Sequence, residues 1–107
     1  MQKPFVITKV SWLTQTVGME NERASIINDH FHITKFLQDH GLVVRTLMHN
    51  IDDITDDFTL SSDDLTAEGL ALMKAAYHKW LTKIDNGMSP TDTSMLKKAL
   101  QKIRDNI

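Results

Sequence analysis

Cysteine is absent from the 107-residue chain, which excludes disulfides, thiolate metal sites and a thiol nucleophile in one step. Glycine is scarce, with only four residues, too few for a fold that must bring its backbone close to a substrate at several points. Neither Gly-x-Ser-x-Gly, a glycine-rich phosphate cradle, Glu-x-x-His nor His-Glu-x-x-His occurs, so nucleophilic hydrolysis, nucleotide binding and zinc chemistry have no local support. Apolar runs are short, and Met1-Gln2-Lys3-Pro4-Phe5 does not open an apolar leader with a small-residue cleavage site. The expectation is a protein that does not enter the membrane and acts in the cytoplasm. Without internal repeats or low-complexity tracts, residues 1–107 read as a single domain.

Basic residues are missing from one long stretch. No Lys or Arg lies between Thr46 and Met73, whereas Asp52, Asp53, Asp56, Asp57, Asp63, Asp64 and Glu68 give that stretch a charge of −7. From Lys74 onward the balance is +4, and the first 45 residues contribute +1, which together make the net −2. A chain of nearly neutral total charge is thus divided internally by sign.

The segment around which the rest is organised runs from Leu65 to Ile84. Thr66 is placed to cap a helix, with Leu65 before it and Leu70 inside it as a hydrophobic staple. Leu70, Met73, Tyr77, Trp80 and Ile84 recur at steps of three and four, one stripe of an α-helix. Asp85-Asn86-Gly87 supplies the stop, since Gly87 tolerates the left-handed conformation. Glu22 to about His40 reads as a second helix through Ile26, Ile27, Phe31, Ile33, Thr34, Phe36 and Leu37, closed by Gly41. Ser89-Pro90-Thr91-Asp92 signals a third helix with Ser89 as cap and Pro90 at its first position, carrying Met95, Leu96, Ala99, Leu100 and Ile103. Its short link to the preceding helix implies an antiparallel hairpin. Residues 4–17 fit either period, and a helix after Ser11 completes the set.

The expected fold is therefore predominantly α, a small bundle of about four helices. The alternative is an α+β fold in which residues 5–10 pair with 42–48 as two short strands. Residues 49–64 read as a loop pinned to the core by Ile51, Ile54, Phe58 and Leu60, because Asp, Asn, Ser and Thr compete with regular structure for backbone hydrogen bonds.

Three constellations bear on function. His30 and His32 stand two apart, which on a helix turns their rings about 200° away from each other and prevents a shared metal. Asp53, Thr55, Asp57, Thr59, Ser61 and Asp64 fall at calcium-loop positions, but Phe58 replaces the glycine of the turn and Asp64 the usual bidentate glutamate. The acidic run itself is the third. Asp63, Asp64 and Glu68 are explained by the N-terminus of the central helix; Asp52, Asp53, Asp56 and Asp57 repel one another and call for a basic partner.

The sequence thus points to a non-catalytic protein-binding module without cofactor or metal. Asp52, Asp53, Asp56, Asp57, Asp63 and Asp64 form its contact surface for one basic protein. An inhibitor or immunity protein that masks a nuclease toxin is the concrete instance, by analogy of charge and size. The alternative is a nucleic-acid-associated regulator using Lys97, Lys98, Lys102 and Arg104. An enzyme acting through His30, His32 or His49 ranks third.

Overall fold

The computed structural model describes residues 5–11 and 23–105. Among these the chain forms, in order, strand β1 (Val6–Lys9), helix α1 (Arg23–Asp39), strand β2 (Thr59–Ser61), helix α2 (Ala67–Asp85) and helix α3 (Ser94–Asp105). Two 3₁₀ turns, Ile51–Asp53 and Ser62–Asp64, flank β2. The fold is mostly helical with a small two-stranded antiparallel sheet. The backbone turns helical at Val10 and Ser11, and the helix expected after Ser11 otherwise lies outside the described residues.

Helix α2 starts and stops where its sequence dictates. The Thr66 side chain accepts a hydrogen bond from the Gly69 N–H at 3.1 Å. Gly87, at φ 109°, closes the other end: its N–H reaches the Ile84 carbonyl and that of Met88 reaches Lys83. Helix α1 ends identically, with Gly41 at φ 68°, Gly41 N–H on Gln38 and Leu42 N–H on Leu37. Both are Schellman closures, which satisfy carbonyls that the last helical turn leaves without partners.

Met73, Tyr77 and Trp80 are buried as their spacing predicts, and Leu72 and Ala76 widen the stripe. They share one core with Ile33, Phe36 and Leu37 of α1 and Leu96 and Leu100 of α3; Leu70 and Ile84 pack against its edge. Arg104, near the end of α3, bonds Glu68 in the first turn of α2 at 2.8 Å, so the α2–α3 hairpin is antiparallel. A smaller cluster of Val10, Ile26, Met48 and Ile54 lies beside it.

Four expectations need correction. Strand β1 does not pair with residues 42–48. It pairs antiparallel with β2, Val6 opposite Ser61, Thr8 opposite Leu60 and Lys9 opposite Thr59, with an irregularity between Val6 and Thr8. Residues 42–48 make one isolated bridge, Val43 to Leu65, and the backbone of Leu47 and Met48 is bonded instead by the Gln38 side chain. Those bonds remove the need for a strand partner there. Second, the acidic segment is no plain loop, since β2 runs through it and continues against β1 through Val10 N–H to Phe58 and Ser11 N–H to Asp56. Third, Ile51 is exposed and stands outside the buried core, unlike Ile54 and Leu60. Fourth, α3 begins at Ser94, later than Pro90. Ser89 closes a separate turn by accepting the Asp92 N–H, and the Trp80 indole N–H takes the Asp92 carbonyl at 3.2 Å. With that carbonyl engaged, Asp92 caps the helix from outside through Ser94.

The end of α1 and the start of α2 are joined through one carbonyl. The Leu42 carbonyl accepts from the Thr66 N–H at 2.9 Å and from the Thr66 hydroxyl at 3.2 Å, and it lies where a Cβ on Gly69 would stand. Helix propensity alone favours Gly69→Ala by about 1 kcal/mol, whereas the backbone carbonyl in the way cannot swing aside like a side chain. The clash should win, with a net loss of about 1–3 kcal/mol, measured by urea unfolding. Trp80→Ala, which empties the centre of the core, should lose about 3–5 kcal/mol in the same assay.

A candidate acidic interface

The six predicted aspartates divide by environment. Asp64 faces inward, 3% exposed; one oxygen accepts the Ser61 N–H at 2.9 Å and the other pairs with Arg45. Asp53 is exposed but its carboxylate caps the 3₁₀ turn, accepting from the His49 N–H at 2.7 Å. That hydrogen bond holds its pKa below the ordinary carboxylate value. Asp56 is half-buried, and its carbonyl is tied to Ser11. Asp52, Asp57 and Asp63 are exposed, and none of them belongs to an ion pair among the described residues. Asp52 and Asp53 stand on one 3₁₀ turn, Asp57 on the turn closed by Phe58 N–H to Thr55, and Asp63 beyond the far end of β2. Since Ile54 and Leu60 are buried, these charges are carried on a backbone fixed to the core.

A feature invisible in the acidic run lies next to it. Ala24, Ser25 and Asn28 at the start of α1, Ile51, and Ile84, Gly87, Met88 and Pro90 at the α2–α3 turn line a cleft of about 590 Å³. Its wall is largely apolar, and Ile51 is 42% exposed there. Acids follow the lining closely in sequence: Asp52 and Asp53 stand one and two places after Ile51, Asp29 one after Asn28, and Asp85 one after Ile84.

Asp29 is the most perturbed of these. Burial first, and the Asp85 charge second, raise its pKa from 3.8 to about 6. Its Oδ1 is buried without a hydrogen-bond partner among the described residues. Behind it, Tyr77, Thr8 and His30 form a buried polar link between α2, β1 and α1. His30 Nδ1 lies 2.9 Å from the Ile26 carbonyl, which only accepts, so that nitrogen carries the proton. Nε2 then accepts from the Thr8 hydroxyl at 2.9 Å. The Tyr77 hydroxyl lies beside Thr8, and burial raises its pKa. His30, 1% exposed, is thus a neutral interior group, its pKa lowered by burial.

The other readings disperse. His32 borders a different cleft, its pKa lowered by burial and by Lys35, and His49 is exposed. Among the described residues no three of His, Asp and Glu are placed to hold a metal. Residues 59–61 of the calcium-like run form a strand. Of the basic residues on α3, Lys98 and Lys102 share a cleft with α2, Lys97 lines the His32 cleft, and Arg104 is engaged with Glu68. No described helix is long and apolar enough to cross a membrane. No family model matches this chain, and neither a curated protein nor a solved structure does.

Because the pKa of Asp29 is raised in the fold, the native chain holds that proton more tightly than the unfolded chain. The resulting destabilisation is absent well below pH 4 and complete above about pH 6. Asp29→Asn should therefore stabilise at pH 7 by about 1 kcal/mol, the full shift being discounted for a half-exposed carboxylate. The gain should fade as thermal melts are repeated toward pH 4.

Proposed function

We propose that this protein is a non-catalytic binding module that neutralises one basic protein, in the manner of an immunity protein masking a nuclease toxin. The observation that carries the reading is the exposed Ile51, set in an apolar cleft and flanked by Asp52 and Asp53 with Asp29 and Asp85 nearby. An apolar anchor inside a charged rim is the arrangement in which interfaces concentrate their affinity.

The acids act at two levels. Asp52, Asp57 and Asp63, exposed and on fixed turns, steer a cationic surface during approach and set the encounter rate. Asp29 and Asp85 repel each other in the free protein. A lysine or arginine of the partner placed beside the exposed Asp85 offsets that repulsion. Asp64 has no part in this surface, being committed to Ser61 and Arg45. The absence of cysteine suits action in the cytoplasm, where such a partner would be held inactive until released.

The test uses the product of the reading frame beside that of this chain, where the target of an inhibitor is expected. Replacing Asp52, Asp57 and Asp63 by Asn should slow association about ten- to a hundredfold at low salt and flatten its salt dependence. Ile51→Ala should leave that rate alone and speed dissociation instead. Unchanged rates and salt dependence in the triple variant would remove this surface from consideration.

A further inference from the structure

A second surface, sharing no lining residue with the acid-flanked cleft, runs between α2 and α3. Ala75, Ala99, Met95 and Ile103 contribute its apolar part, and Lys79, Lys98 and Lys102 its charges, around a volume of about 310 Å³. A neighbouring cleft of about 470 Å³ shares Lys79 and Met95 and extends past Lys83. The two form one groove whose described lining contains four lysines and no acid. At 1.5 Å per residue the groove is about 16 Å long from Ala75 to Asn86 along α2 and about 12 Å from Met95 to Ile103 along α3, between two and three helical turns.

We propose that this groove docks an acidic amphipathic helix of another protein. The occupant is chosen by the chemistry of the lining. An apolar floor needs an apolar stripe opposite it, and anchors at i, i+4 and i+7 span about 10 Å, which fits the length available. Small side chains at Ala75 and Ala99 allow a third helix to settle closely over the seam between two others. The lysines then meet glutamates or aspartates on the flanks of the incoming helix, and no acid in the lining opposes them. Nucleic acid is served less well. The lining has no arginine for bidentate phosphate contact and no Phe, Tyr or Trp for base stacking, and its apolar centre would be wasted on a phosphate backbone.

The probe is a synthetic helical peptide of about four turns with leucines at i, i+4, i+7 and i+11 and glutamates elsewhere on its flanks. A scrambled isomer of equal charge serves as comparison. Titration into the isotope-labelled protein, followed by backbone amide shifts, should show saturable binding that perturbs Ala75, Lys79, Met95 and Ala99. The scrambled isomer should bind at least about tenfold more weakly. Lys98→Glu with Lys102→Glu replaces two exposed side chains and should weaken the peptide about tenfold or more without changing the circular dichroism spectrum. Ala75→Glu, also at an exposed position, should do the same through the floor. Equal binding of the scrambled isomer would overturn the proposal, since charge alone would then account for it. So would tighter binding of duplex DNA or of phosphatidylserine vesicles than of the peptide, perturbations confined to another face, or self-association that fills the groove.

Discussion

One carbonyl holds the two halves of the helical core in register. Leu42 follows the glycine that ends α1, and its oxygen receives both the backbone and the side chain of Thr66, the cap of α2. The close approach requires a residue without a Cβ at position 69. Once the end of α1 and the start of α2 are joined there, the faces bearing Ile33 and Leu37, and Leu72 and Trp80, enter a common core. Helix α3 then covers that core from the other side, tied at its end by Arg104 to Glu68. A few backbone contacts thus decide which apolar faces meet, and burial supplies the free energy once they do.

What could be read from residue order was what depends on neighbours along the chain. The cap at Thr66, the stops at Gly41 and Gly87, and the stripe from Met73 to Trp80 are all local patterns, and each is present. The strand pairing was not legible in the same way, because β1 meets β2 across some fifty residues and nothing in either short segment names its partner. The shift in the start of α3 has a comparable origin. Ser89-Pro90 is a sound helix start by itself, but in the fold Ser89 bonds within a turn to Thr91 and Asp92, and the Trp80 indole, from the preceding helix, holds the Asp92 carbonyl. Tertiary contact overrides local preference most readily at element ends.

The candidate site was half legible. The acidic run is visible as composition, but composition could not separate Asp64, which serves the interior, from Asp52, Asp57 and Asp63, which face solvent. Ile51 illustrates the opposite error: an isoleucine among polar residues reads as an anchor, and exposure alone shows it turned outward. Asp29 and Asp85 sit in different helices and carry no motif, and a fold is needed to bring their charges together. Of the acids near the cleft, only Asp52 and Asp53 could have been named beforehand.

The glycines that end α1 and α2 differ in kind from Gly69. An added Cβ at 41 or 87 meets nothing within 4 Å, so only the sign of φ, not space, reserves those places for glycine. Handedness is then the sole obstacle, and a residue of mirror-image configuration has the opposite preference. Conformation thus reserves the two helix ends for glycine, whereas at position 69 it is space, taken up by Leu42, that excludes a Cβ.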